Sequence, residues 1–169
     1  FSLMPTNLYG PGDNYDLQTS HVLPALIRKF YNAYIDNKKE VICWGTGQPL
    51  REFLHVDDLG DACVYSLERF DPDSFESSKD KNTNSFDFLN VGTGKDMKIL
   101  ELAEIIATTI GFKGKINWDK SKPDGTPKKQ LDITRIQNLG WQPKIKLSEG
   151  IRKTVDEFIK NYNDGKIRV

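Results

Sequence analysis

Cysteine, methionine and histidine are scarce, with two of each in 169 residues. Cys43 and Cys63 stand in separate apolar runs without the CxxC spacing of a zinc or redox site. They read as free, buried thiols of a reducing compartment, and a cytoplasmic setting is expected. No metal centre is expected from so few soft ligands. Net charge is absent as well: 24 basic residues balance 24 acidic ones. That balance argues against a general nucleic-acid surface. Hydrophobic residues make up 37% of the chain, and no run approaches the roughly 20 residues of a membrane span. Neither a nucleic acid nor a membrane is therefore an expected partner. Two further absences concern nucleotide chemistry. A dinucleotide site needs a glycine-rich turn at a helix N-terminus to hold the pyrophosphate, and the sequence has no GxGxxG or GxxGxxG. Gly92-Thr93-Gly94 follows a predicted strand, but no third glycine comes three residues later. A Tyr-x-x-x-Lys spacing falls at Tyr34 and Lys38, on a helix end remote from any such turn, and reads as chance.

What is present is an alternation of short strands and amphipathic helices, the pattern of a single α/β unit. Apolar residues at helical spacing (Leu23, Leu26, Ile27, Phe30, Ala33 and Tyr34) predict a helix over 23–34. Residues 99–110 give the clearest helix, stopped by Gly111, and 147–162 give a terminal one. A helix over 57–67 is predicted to be capped by Asp57 and to face Leu59, Ala62, Cys63, Ser66 and Leu67 inward. A short helix over 133–139 closes at Gly140. Strands are expected at 41–44, 52–56, 86–92 and 115–118. Residues 71–85, rich in Ser, Asp, Lys and Asn, read as a polar surface loop, and 121–129 as a Pro/Gly loop. Phe1 to Met4 reads as the end of a buried strand, so the chain is expected to be a piece of a larger protein.

The organising stretch runs from Met4 to Pro24. Pro5 has no N–H for a ladder. Gly10-Pro11-Gly12-Asp13-Asn14 forms a turn, and a helix opens near Pro24. Thr6, Asn7 and His21 thus reach the carboxyl end of a strand, where open α/β sheets hold ligands. A plainer reading leaves Asn7 and His21 only satisfying backbone groups.

Pro5-Thr6-Asn7-Leu8-Tyr9-Gly10-Pro11 with Ser20-His21-Val22 resembles the extended short-chain dehydrogenase/reductase family. The likeness returns in Trp44-Gly45-Thr46-Gly47-Gln48-Pro49-Leu50-Arg51-Glu52-Phe53-Leu54-His55-Val56-Asp57-Asp58, in Asn90-Val91-Gly92-Thr93-Gly94, and in the run from Ser121 to Lys129. The Arg-Glu-Phe-x-His-Val-Asp-Asp segment is shared by many nucleotide-sugar epimerases and dehydratases. Ser-His-Val together with Ser-Lys-Pro-Asp-Gly-Thr-Pro is more specific. It matches members that epimerise C3 and C5 of a GDP-linked 4-keto-6-deoxy-mannose and then reduce C4 with NADPH.

The resemblance implies that this chain is the substrate-binding part of a Rossmann-type fold with the last strands of its sheet. The NADP(H)-binding half, with its Tyr/Lys pair, lies outside it, and the full-length parent is expected to be a homodimer. His21 is then the catalytic acid, because epimerisation beside a ketone needs a base on one face and an acid on the other. An imidazole exchanges protons near neutral pH. Neither Cys43 nor Cys63 matches the family's cysteine base. The backbone of Pro5, Thr6, Asn7 and Leu8 is expected along the nicotinamide, and Asn7 orients the keto sugar. Lys29 (where some members have Arg), Arg51 and Lys129 suit a diphosphate. The Trp44 ring suits the nucleotide or sugar. Asp124, whose plain role is turn formation, is a further substrate contact. His55 reads as structural. Two rival readings stay open: an epimerase or dehydratase acting on another nucleotide sugar, and a nucleotide-sugar-binding module without turnover.

Overall fold

The computed structural model describes residues 1–71 and 88–169. The chain runs β1 (Ser2–Pro5), β2 (Asn7–Tyr9), α1 (Val22–Ile35), β3 (Glu40–Trp44), β4 (Leu50–His55), α2 (Val56–Arg69), β5 (Phe88–Val91), β6 (Asp96–Lys98), α3 (Ile99–Ile110), β7 (Lys115–Asp119), β8 (Lys128–Lys129), α4 (Thr134–Asn138) and α5 (Leu147–Asn163). The mixed α/β class agrees with the sequence. The predicted loop over 71–85 lies almost wholly outside the described residues, as do the first two residues of the strand expected at 86–92.

Among the described residues the strands form three small sheets. β1 pairs parallel with β5, and β3 pairs parallel with β7. β4 is the hub of the third: β2 lies parallel to its second half, β6 antiparallel to its first, and β8 parallel to Leu50 and Arg51. Parallel pairs require crossovers, which α1, α2 and α3 supply.

The helices form where apolar residues recur at helical spacing. α1 buries Leu23, Leu26, Ile27, Phe30 and Ala33, α3 buries Leu102, Ala103, Ile106 and Ile110, and α5 buries Ile151, Val155 and Phe158. Together with Tyr9, Val41, Cys43 and Phe53 they make one core. A second core gathers Leu54, Ala62, Leu89, Val91, Ile136 and Trp141. Gly111 ends α3 in the left-handed region at φ 86, donating to Ala107 O and Thr108 O, a conformation that costs glycine little.

Several expectations need correction. β1 is not buried: only Leu3 of it packs against a core, and Phe1 is 47% and Met4 52% exposed. Pro5 does end that ladder, yet the chain extends again at once as β2 beside β4. The cap of α2 is His55, whose Nδ1 accepts from Asp57 N at 3.2 Å. The inward face of α2 is Asp58, Ala62 and Ser66, leaving Leu67 74% exposed. Tyr34 sits at the open end of α1 and is 49% exposed. Cys43 is buried but Cys63 only partly so, and both are free.

Candidate functional site

β1 and β2 are joined at Thr6, which changes sheets. Its N–H reaches Val91 O at 3.0 Å and its hydroxyl reaches Glu52 O at 3.3 Å. The Asn7 side-chain nitrogen donates to the same Glu52 carbonyl at 2.7 Å. The amide is thereby fixed, and its oxygen remains as an acceptor. Gly10 follows with no room for a side chain, since a Cβ there would lie 2.6 Å from Val56 Cγ1.

The loop from Asp13 to Ser20 is stiffened by its own side chains. Asp13 Oδ1 accepts from Asn14 N at 2.7 Å, and Asn14 Oδ1 from Asp16 N at 3.0 Å. Asp16 Oδ1 accepts from Thr19 Oγ1 at 2.9 Å and from the backbone of Gln18 and Thr19. These bonds, led by the Thr19 hydroxyl, hold the Asp16 carboxyl below its usual range. Tyr15 fastens the loop to the core by packing its ring, tilted, against Phe158 at 4.5 Å between centroids. The loop delivers His21 to the N-cap of α1. There its carbonyl accepts from Ala25 N, but its ring makes no capping bond and is exposed. A purely capping histidine would not look like this.

A cleft of about 420 Å³ opens between these elements, and its lining includes Pro5, Thr6, Asn7, Leu8, His21 and Lys129. Every residue expected at the reacting end of a substrate thus meets in one place. Asp13 and Arg168 also line this cleft, and neither was singled out from the sequence. Burial raises the Asp13 carboxyl above its ordinary value, against the opposing pull of the Asn14 N–H, His21 and Arg168.

The other expected residues line two further hollows. Trp44, Arg51 and Asp124 line a hollow of about 200 Å³, and Lys29 and Trp44 line a neighbouring one of about 290 Å³. Val22, next in sequence to His21, lines both. β8 ties the two regions together, because Lys129 is the register partner of Arg51. Trp44 is 64% exposed, with Lys29 Nζ 5.4 Å from its ring centre. Asp124 differs from its companions. Its Oδ1 accepts from Thr46 N and its Oδ2 from Thr46 Oγ1, both at 2.6 Å, and these bonds hold its carboxyl below the usual range. It builds the Gly45-Thr46-Gly47 turn that carries Trp44.

Sequence reasoning missed Glu52. Its side chain is wholly buried, and it accepts from Thr93 N at 2.6 Å, Gly94 N at 2.7 Å and Leu131 N at 2.9 Å. The amides of the Gly92-Thr93-Gly94 turn therefore face an internal carboxylate rather than a phosphate. An acid directly before the apolar pair Phe53-Leu54 was the available signal. Asp58 is the same kind of residue: buried, it accepts from Lys144 N and Ile145 N at 3.0 Å each. His55 is structural as expected, with its ring edge-on to Tyr9.

The Tyr-x-x-x-Lys spacing of Tyr34 and Lys38 recurs at Tyr162 and Lys166, and neither pair lines the cleft. Burial pushes the Cys43 thiol up, which suppresses its thiolate. Among the described residues no helix is long and apolar enough to cross a membrane.

Residues 1–77 match the NAD dependent epimerase/dehydratase family. The chain is 48% identical to GDP-L-fucose synthase 1 of Arabidopsis thaliana over 158 residues, covering 94% of this chain and 45% of that protein. Its fold superposes on a GDP-6-OMe-4-keto-L-xylo-heptose reductase from C. jejuni with a TM-score of 0.82 and 35% identity, over 95% of this chain and 53% of the other. A GDP-L-fucose synthetase from Naegleria fowleri bound to NADP gives a TM-score of 0.81 at 27% identity, over 97% of this chain and 48% of the other. The chain spans about half the length of the curated relatives it matches.

Proposed function

With kinship to the NAD dependent epimerase/dehydratase family as the premise, we propose that this chain is the substrate-binding part of a GDP-L-fucose synthase. The whole enzyme epimerises C3 and C5 of GDP-4-keto-6-deoxy-mannose and reduces C4. One observation carries this reading: His21 and the segment Pro5 to Leu8 share one cleft, with the cations and the exposed indole of a nucleotide site beside it.

The division of labour follows from the chemistry of the ketone. Its carbonyl acidifies the C–H bonds at C3 and C5, and inversion needs a proton removed on one face and returned on the other. His21, whose ring makes no capping bond and lines the cleft, returns the proton. Asn7, fixed by Glu52 O, holds the sugar in register, since small misplacements cost rate steeply. The base comes from outside this chain, because neither cysteine lines the cleft. Lys129 and Arg51 face the diphosphate side, Trp44 the base or ribose, and Lys29 stands beside the Trp44 ring. Asp124 acts on the substrate only through the turn it holds.

The residues present fit one end of NADPH. The extended backbone of Pro5 to Leu8 in the cleft wall suits the nicotinamide carboxamide. The glycine turn after β5 uses its amides on Glu52 and leaves no pyrophosphate cradle there. When bound, NADPH supplies hydride to C4.

The test is to join the chain to an NADP-binding half of the same family and feed it the keto sugar. GDP-L-fucose should form, with solvent deuterium entering at C3 and C5. His21→Gln should keep GDP binding and lose inversion at C3 and C5. Retained epimerisation in the variant would reject the role given to His21.

A further inference from the structure

Around Trp44 the chain builds a clip that the sequence pattern did not disclose. Trp44 ends β3 opposite Asp119, the last residue of β7. Beyond that pair the chain folds back. Asp119 O accepts from Gly45 N at 2.9 Å and from Lys122 N at 3.2 Å. Asp119 Oδ1 accepts from Ser121 N at 3.0 Å and Ser121 Oγ at 2.6 Å. Two residues past Lys122, Asp124 grips Thr46 on the other side of the indole's turn. Lys122 is therefore held between two anchored points, and its Nζ lies 5.7 Å from the Trp44 ring centre. Within about 6 Å an ammonium is attracted by the ring.

The indole thus has two cations beside it, and they are not equivalent. Lys29 Nζ already donates to Ile42 O at 3.0 Å, which pins its chain along β3. The Lys122 ammonium makes no hydrogen bond or ion pair among the described residues. Asp119 feels its charge but gives its oxygen to Ser121. A lysine has three donors and no acceptor. Lys122 keeps all three for a ligand, while Lys29 keeps two in a fixed direction. A planar ring left 64% exposed, with a free ammonium next to it, matches a ligand that joins a flat heterocycle to phosphate.

We infer that Lys122 is a specificity-determining residue of the nucleotide subsite: it binds the diphosphate beside the Trp44 ring, while Lys29 mainly braces the indole. This rests on the nucleotide-sugar reading above and names the cation that the reading left out.

The experiment is a titration of the protein with GDP and with guanosine, followed by tryptophan fluorescence. Trp141 is buried, but the partly buried Trp118 lines the same hollow as Trp44, so the titrations are read in a Trp118→Phe background, where the response reports Trp44. Lys122→Gln should weaken GDP binding about tenfold, or about 1.4 kcal/mol, and leave guanosine unchanged. Lys122→Arg should retain most of the affinity, and Lys29→Gln should weaken both ligands alike. Unchanged acrylamide quenching of Trp44 in Lys122→Gln certifies that the clip is intact. Equal GDP affinity in wild type and Lys122→Gln overturns the assignment. So does a loss that is the same for guanosine, since it would place Lys122 on the ring and not the phosphates. No GDP binding by the unaltered protein would overturn the nucleotide reading itself, and this assignment with it.

Discussion

The side-chain nitrogen of Asn7 lies 2.7 Å from the backbone carbonyl of Glu52. That bond joins a residue of the cleft wall to the strand at the centre of the fold. Glu52 in turn reaches from β4 with its carboxylate to the turn after β5 and to Leu131. The position of the cleft is thus set by a strand whose own side chains never enter it at that point.

Asn7→Ala removes one part-buried bond, and the Thr6 hydroxyl still serves the same carbonyl. The stability loss should be about 1 kcal/mol, read from urea denaturation. In the joined enzyme the loss should fall on turnover far more than on GDP affinity, because the site keeps its cations and loses the fixed amide. A drop in GDP affinity equal to the drop in turnover would contradict the assignment of Asn7 to the sugar.

Glu52→Gln should be more damaging than its size suggests. The carboxylate oxygens accept from three backbone N–H groups, and an amide turns one acceptor into a donor facing a donor. Buried mismatches of this kind cost about 1–3 kcal/mol, more where a charged group was involved. Unfolding should need less urea with an unchanged slope. A midpoint equal to wild type would mean that the turn amides find other partners.

These two residues mark what could be read in the sequence. α1, α3 and α5 were legible because each buries a stripe at its own period, a property of one short segment. β2, β6 and β8 were not, since two or three residues become a strand only when β4, drawn from elsewhere, pairs with them. His21 with Pro5 to Leu8 was legible because residue types and their resemblance pointed to one loop. The Thr46–Asp124 hook spans 78 positions, and no local pattern announces it. Glu52 gave a signal of a sort, an acid directly before the apolar pair Phe53-Leu54, but its partners at Thr93 and Leu131 are tertiary.

Acid should unfold the protein by a predictable route. Asp16, Asp61, Asp119, Asp124 and Asp132 lie below their ordinary value of 3.8, through hydrogen bonds led by Thr19, Lys144, Ser121, Thr46 and Thr134. A carboxyl depressed in the fold contributes stability that is complete above its unfolded value and disappears as pH falls through the folded one. Asp13 has the opposite sign. Raised by burial, it costs stability at neutral pH, and that cost fades on acidification. Glu149 is lowered too, by its hydrogen bond with Lys153, and six against one predicts urea midpoints steady from about pH 7 to 5 and falling below about pH 4. A midpoint that holds steady down to pH 3 would refute this balance.

Gly150 offers a test in which two effects oppose. It is buried in the first turn of α5, where alanine should gain about 1 kcal/mol of helix propensity over glycine. A Cβ at that position, however, would strike the Tyr9 hydroxyl and lie 3.0 Å from His55 Cδ2. Both rings are buried and pack edge to face, so neither can swing away cheaply. Overpacking of this kind costs about 1–3 kcal/mol, which outweighs the gain. Gly150→Ala should therefore lower the melting temperature, and the pair Gly150→Ala with Tyr9→Phe should recover part of the loss by removing the struck oxygen. Tyr9 also lines the cleft, so the single variant should weaken ligand binding along with stability. A rise in melting temperature on Gly150→Ala would show that α5 shifts freely against β2, and that the cleft wall is less firmly held than its packing implies.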